Sequence, residues 1–321
     1  MNTKVTNSSI KISLLMIALS GIGCSDTNTP TEATTRSVTT EATTAVTTAA
    51  TTEINIQEQA KAAAENSATL DAILLAQTAE TKARYIYRHP KQTLDFFGIK
   101  PGMTVVEVLP GGGWYSKILA PYLGAQGHLI GINYPDRLWS NFDWAKPEFI
   151  AERIKATQTF SAEVKTWAPK NTPTVSSYTF DTLPAKLTAS ADVALYIRAL
   201  HNLNRFNTEH QFLDQALGET YRILKPGGML GVVQHQTDAE NLDGSRGYLN
   251  KSELIATLEK SGFSLVAESG INTNPKDQPS ADDIVWRLPP SYYTSADDEP
   301  AKEKYRAIGE SNRMTLLFKK R

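Results

Sequence analysis

The chain has 321 residues, of which 40% are hydrophobic and 21% are charged, so it can bury a sizeable core. Its 33 Lys and Arg residues almost balance 34 Asp and Glu residues, which gives a formal net charge of −1. Nucleic-acid binding is therefore not expected, because it usually requires a basic face.

The N-terminus has the plan of an export signal. Lys4 and Lys11 precede an apolar run over residues 12–22, which is too short to be a permanent membrane span. Residues 1–23 are therefore predicted to be a signal peptide. The following Cys24 is the only cysteine, and the pattern resembles a bacterial lipoprotein signal, which implies a lipid on Cys24 as the sole membrane contact. Ordinary secretion with cleavage nearby is the alternative.

Ser25 follows the cysteine, where an Asp would favour retention in the inner membrane of bacteria. The expected location is therefore the periplasmic side of the cell envelope, with the lipid in the outer membrane. Residues 24–55 are predicted to be the lipidated cysteine and a disordered linker. Thirteen of the 26 residues from 27 to 52 are Thr, and the segment has no apolar periodicity. It therefore cannot bury enough apolar surface to offset the conformational entropy that the chain would lose on folding. Residues 56–321 are predicted to form the globular domain.

Strand and helix patterns alternate through this domain, which predicts a parallel sheet covered on both faces. The predicted strands are residues 104–108, 128–133, 175–180, 192–197, 229–235, 263–269 and 314–319. The predicted helices are one or two within residues 57–77, one after His89-Pro90 that ends at Gly98, and residues 114–122, 206–224 and 250–261.

A glycine loop is the most informative motif. Residues 105–114 read VVEVLPGGGW, a buried strand that runs into glycines and then a helix. Glycines let the backbone approach a ligand closely, and the N–H groups at a helix N-terminus suit an anionic group. A glycine loop by itself is also the composition of an ordinary tight turn.

Two further segments give the loop a context. Residues 221–230 read YRILKPGGML, and residues 192–203 read DVALYIRALHNL. With the loop, they resemble the class I S-adenosylmethionine-dependent methyltransferases, and in particular an exported subgroup of predicted methyltransferases. The resemblance implies a Rossmann-like α/β methyltransferase fold. Its sheet has about seven mostly parallel strands with helices on both faces, and the last strand inserts antiparallel.

The resemblance also implies S-adenosylmethionine as methyl donor and a set of contacts for it. Glu107 would orient the glycine loop or the amino group of the ligand. Asn133 stands near the usual acidic contact to the ribose, for which Asp136 could substitute, and Asp181 would contact the adenine edge or simply belong to a turn. Leu109 replaces the first glycine of the family. The predicted cofactor-binding residues are Glu107, Gly111, Gly112, Gly113, Asn133 and Asp181.

The acceptor side is predicted just beyond the fourth and fifth strands. Arg198, His201, Asn202 and His235 are the polar residues there, and either histidine could act as a base near neutral pH. Alternatively, the histidines only bond loop backbone. The Asn/Asp-Pro-Pro-Tyr segment of amino-methylating relatives is absent after the fourth strand, which argues against methylation of a nucleic-acid base or a glutamine amide. The expected acceptor is a small molecule. No Cys/His cluster has metal-ligand spacing, so no metal is expected.

The leading hypothesis is an enzyme that transfers a methyl group from S-adenosylmethionine to a small acceptor. The rival is a non-catalytic lipoprotein that keeps the fold for another ligand, since export would separate the domain from the cytosolic source of the cofactor. A nicotinamide dehydrogenase is disfavoured because Ser116 and Asn133 stand where that class needs a glycine and an acid.

Overall fold

The computed structural model describes residues 40–295 and 297–321, with side chains from residue 55 onward. Residues 57–321 form one compact unit, and the earlier part of the first helix belongs to a separate one. The predicted signal peptide, Cys24 and the first part of the predicted linker lie outside the described residues. No helix in the described part of the chain has a stretch long and apolar enough to cross a membrane.

The strands in this part are β1 Thr104–Val108, β2 His128–Asn133, β3 Thr174–Thr179, β4 Ala191–Ile197, β5 Leu224–His235, β6 Phe263–Ser269 and β7 Arg313–Lys320. The α-helices are α1 Thr40–Ala76, α2 Ala79–Lys82, α3 Tyr85–Arg88, α4 Pro90–Phe96, α5 Ser116–Leu123, α6 Asp136–Trp139, α7 Pro147–Trp167, α8 Leu200–Arg205, α9 Asn207–His210, α10 Phe212–Ile223, α11 Lys251–Lys260 and α12 Glu299–Ile308.

These strands form one seven-stranded sheet with the order β3-β2-β1-β4-β5-β7-β6. Strands β1 to β5 pair in parallel, and β7 runs antiparallel between β5 and β6. The predicted Rossmann-like methyltransferase fold is therefore confirmed, including the antiparallel last strand. The chain proceeds from β1 to β3 on one side and then resumes with β4 on the other side of β1. This makes the carboxyl ends of β1 and β4 the switch point at which such sheets bind ligands.

Side-chain alternation along the strands divides the core into two layers. Val105 of β1 packs in the layer that contains buried residues of α1, α4, α5 and α7. Its neighbour Val106 packs in the opposite layer, against residues of α8, α10 and α11. The sheet thus has helices on both faces, as the strand–helix alternation predicts.

Several helical segments differ from the prediction, and the longest of them are in α1 and α7. Helix α1 includes residues 40–55, which the sequence predicts as a linker without regular structure. Extending a helix from the alanine-rich segment that follows requires no new nucleation, which offsets the weak helix propensity of Thr. Helix α7, Pro147–Trp167, was not predicted. Most of its surface is only partly buried, so its sequence lacks a clear apolar stripe.

The predicted helix over residues 206–224 is divided into α9 and α10. Gln211 lies between them with a left-handed φ of 57°, which interrupts the helical path. The side-chain oxygen of Asn207 accepts hydrogen bonds from the backbone N–H groups of Leu213 and Asp214 at 2.9 and 3.1 Å. Asn207 therefore caps α10.

Candidate functional site

The glycine loop connects β1 to α5 through three left-handed residues. Leu109, Gly111 and Gly113 have φ values of 51°, 58° and 72°. Leu109 is therefore in the left-handed conformation that favours glycine, at a cost of about 1–2 kcal/mol. Strain of this kind tends to be retained where it shapes a site.

Glu107 links the strand before the loop to the helix after it. Its Oε2 accepts a hydrogen bond of 2.6 Å from the hydroxyl of Ser116, the first residue of α5. Burial raises the pKa of the Glu107 carboxyl to about 8, against the opposing effect of the Ser116 bond. The carboxyl is therefore largely protonated at neutral pH, and its observed contact favours orientation of the loop over direct binding of a ligand.

A cavity of about 890 Å³ opens at the switch point between β1 and β4. Gly111 and Gly112 line it from the loop. The four residues predicted on the acceptor side also line it: Arg198, His201, Asn202 and His235. The structure therefore brings together two of the predicted cofactor-binding residues and all the predicted acceptor-side residues, within a volume typical of small-molecule sites.

Gly113 does not line this cavity. A Cβ atom at Gly113 would lie 2.2 Å from Cη2 of Trp167, the last residue of α7. The indole thus occupies the space that the prediction assigned to a ligand. This contact was not predicted because α7 was not predicted. At Gly112 a Cβ atom would meet nothing within 4 Å, and at Gly111 only the Leu109 carbonyl oxygen at 3.9 Å.

Asn133 and Asp181 are not brought to the cavity. Asn133 ends β2, and its Nδ2 donates to the hydroxyl of Thr157 on α7 at 2.9 Å. Asp181 is ion-paired with Arg137 at 2.7 Å and lies in a separate hollow of about 420 Å³. Asp136 begins α6 and does not line the main cavity either. The predicted ribose and adenine contacts are therefore absent from the observed cavity, because α7 and Arg137 engage these side chains.

The two histidines lie side by side, with ring centroids 5.8 Å apart. Their nearest polar partners are side chains: Gln234 Nε2 is 3.4 Å from Nδ1 of His201, and the Ser311 hydroxyl is 2.5 Å from Nδ1 of His235. The alternative in which they bond loop backbone is thus wrong.

Burial lowers the pKa of His201 to about 4 and that of His235 well below its usual value, and nearby cations add to both shifts. Both rings are therefore neutral at pH 7. A base with so low a pKa is poorly matched to neutral pH, so the predicted proton abstraction by these histidines is not favoured.

The sequence predictions did not include a cluster of arginines around Glu310. Glu310 Oε1 accepts from Arg84 Nε at 2.6 Å, while its Oε2 lies 3.5 Å from Arg88 Nε and 3.1 Å from Arg313 Nη1. Arg84 and Arg88 line the cavity beside Arg198. Their spacing of four residues just before His89-Pro90 was the available signal. The convergence of Arg84 and Arg88 on Glu310 could not be predicted, because 222 or more positions separate each of them from Glu310 in sequence.

Trp114 and Trp286 complete the cavity wall near these groups. The Arg88 guanidinium lies 4.4 Å above the Trp114 ring, and the His201 ring centroid is 5.7 Å from that of Trp286. Among the residues whose side chains are described, no three His, Cys, Asp or Glu side chains lie together as metal ligands.

No family model matches the chain, and no curated protein is significantly similar to it. Solved structures do match. A SAM-dependent methyltransferase from Aquifex aeolicus is 18% identical over 63% of this chain and 93% of its own, with a TM-score of 0.41. The enzyme 1,6-didemethyltoxoflavin-N1-methyltransferase from Burkholderia thailandensis is 11% identical over 82% of this chain and 89% of its own, with a TM-score of 0.41. Geranyl diphosphate C-methyltransferase from Streptomyces coelicolor is 10% identical over 73% of this chain and 78% of its own, with a TM-score of 0.42. Sequence identities and TM-scores this low do not support an inference about activity. The fold assignment therefore rests on the strand order of this chain.

Proposed function

We propose that the protein transfers a methyl group from S-adenosylmethionine to a small-molecule acceptor. The observation that carries this proposal is one cavity, at the switch point of a methyltransferase-type sheet, lined by both the glycine loop and the residues that follow β4. The backbone at Gly111 and Gly112 is open to the cavity, as close approach of a cofactor requires.

When bound, S-adenosylmethionine supplies an electrophilic methyl group whose transfer is an in-line displacement. The residues of the chain then have to hold the acceptor in line, and positioning of this kind can supply much of the rate. His201 and His235 would orient the acceptor as neutral hydrogen-bonding groups. Arg198, which follows β4, would hold a polar or anionic part of the acceptor.

Binding of the cofactor and its product is the direct test. S-adenosylmethionine and S-adenosylhomocysteine should each raise the midpoint of thermal unfolding, because a ligand present at 100 times its dissociation constant adds about 2.7 kcal/mol to the stability of the native state. NAD at the same concentrations is the control and should have no effect. The absence of any shift with S-adenosylhomocysteine at millimolar concentration would contradict the proposal.

The alternative function, a non-catalytic lipoprotein that binds another ligand, is favoured by one observation. Asn133 and Asp181, the predicted ribose and adenine contacts, are engaged outside the cavity. This alternative predicts no response to S-adenosylhomocysteine together with a response to a different small molecule. The same thermal measurements therefore separate the two functions.

We also propose that the protein is exported and anchored to the cell envelope by a lipid on Cys24. The support is the sequence pattern of Lys4, Lys11, the apolar run and Cys24. In bacteria fed a labelled fatty acid, the protein should carry the label and sediment with outer membranes. The Cys24→Ser variant should lose the label. An unlabelled wild-type protein in the soluble periplasmic fraction would instead indicate ordinary secretion.

A further inference from the structure

The cavity contains far more positive than negative charge. Five cationic side chains line it against the single carboxylate of Glu80, a surplus of four positive charges. The five are Arg84, Arg88, Lys117, Arg153 and Arg198. An opposite charge that enters such a cavity is attracted strongly, because the walls have a lower dielectric constant than water.

Hydrogen-bonding capacity is unbalanced in the same sense. The buried side-chain atoms of the lining residues that lack a hydrogen-bond partner are all N–H groups, within the described part of the chain. They include Arg88 Nη1, Arg198 Nε and the indole Nε1 of Trp114. Buried donors normally have acceptors, so these three groups point to a ligand that supplies oxygen atoms.

The arginines are poorly neutralised by the protein itself. Arg88 is only 2% exposed and shares Glu310 with Arg84 and Arg313, while Arg198 makes no ion pair in the described structure. Burial and the neighbouring arginines lower the pKa of Arg88 to about 8 and that of Arg198 to about 10. A charge removed from water is costly unless an opposite charge replaces its hydration.

The cofactor does not supply that charge. S-adenosylmethionine carries a sulfonium and an ammonium group against one carboxylate, so it would add to the positive surplus. The planar fork of an arginine suits the oxygen atoms of a carboxylate or a phosphate. We propose that Arg88, Trp114 and Arg198 form an oxyanion site that binds a carboxylate or phosphate group of the methyl acceptor. This inference rests on the proposed function, and it names the class of acceptor.

Inorganic phosphate is the probe for this oxyanion site. Phosphate should raise the midpoint of thermal unfolding of the wild-type protein relative to chloride at equal ionic strength. In Arg198→Gln, at least ten times more phosphate should be needed for the same shift. Without phosphate, this variant should be no less stable than the wild type, because it loses a half-buried cation that makes no ion pair in the described structure. Gln also meets the same backbone cost at the left-handed φ of 62°.

Two further variants separate this site from a general salt effect. Arg88→Gln should also weaken the response to phosphate. Arg205→Gln should retain the full response, because Arg205 lies on the same helix as His201 but outside the cavity. Equal responses in all the variants, or no response in the wild type, would overturn the proposal.

Saturating S-adenosylhomocysteine distinguishes the two possible sources of the anion. A response to phosphate that persists in its presence supports an anion on the acceptor. Its loss would assign the arginines to the carboxylate of the cofactor and overturn the proposal. A phosphate response that depends on Arg198, in a protein that binds no S-adenosylhomocysteine at all, would support the oxyanion site and contradict the proposed function.

Discussion

Gly111→Val is expected to reduce the affinity for S-adenosylhomocysteine at least about 100-fold, which is about 2.7 kcal/mol of binding free energy. Gly111 lines the cavity, and the nearest atom to a Cβ placed there is 3.9 Å away. The valine side chain would therefore extend into the cavity, where it would exclude the ligand. The left-handed φ of 58° adds a conformational penalty of about 1–3 kcal/mol to the folded protein. Isothermal titration calorimetry on the folded variant measures the affinity.

Gly102→Val is the matched control. Gly102 also has a left-handed φ, 80°, with nothing within 4 Å of its Cβ position, but it does not line the cavity. It should lose comparable stability and keep the affinity of the wild type. If Gly111→Val also bound S-adenosylhomocysteine as the wild type does, the loop would not be part of the binding site.

Gly113→Ala should lower the free energy of unfolding by about 3 kcal/mol, the sum of overpacking and left-handed strain. The added methyl group would collide with the indole of Trp167, 2.2 Å away, so α7 or the loop must shift. The main effect is therefore on stability, although the sequence analysis placed Gly113 among the cofactor-binding residues. Chemical denaturation of the two proteins measures the difference.

A double-mutant cycle with Trp167→Ala isolates the collision. Removing the indole should recover about 1–3 kcal/mol of the cost of Gly113→Ala as a coupling energy. Gly98→Ala is the control, since Gly98 has a φ of 69° with nothing within 4 Å of its Cβ position, so only the conformational cost of about 1–2 kcal/mol applies. If Gly113→Ala cost no more than Gly98→Ala, the indole would not be seated on the loop as described.

The sheet was predictable because its strands are locally encoded. Strands β1, β2 and β6 have the predicted bounds, since each is a short apolar or alternating run bounded by turns. The cap of α11 was also predictable. Asn250 accepts hydrogen bonds from the N–H groups of Ser252 and Glu253, a contact within four residues. Side chains that follow β1, β4 and β5 had to meet at one edge, because parallel strands bring their carboxyl ends together.

Helix α7 was not predictable from periodicity, and it changed the site. Its residues Thr157 and Trp167 take the amide of Asn133 and the space beside Gly113, contacts that form only when the helix packs on the sheet. The family pattern assigns ligand contacts by position in the motif. Position alone does not show which of those side chains another part of the chain has already engaged.

The sequence by itself therefore determined the fold, the glycine loop and the edge of the sheet where the site lies. Only the tertiary structure decided the electrostatics of that site. The charge of Glu310, more than 100 positions away in sequence, acts on the pKa of both Arg88 and Arg198. Burial rather than residue type lowers the pKa of His201. Desolvation and charge pairing depend on what surrounds a group in space, so no local pattern of residues encodes them.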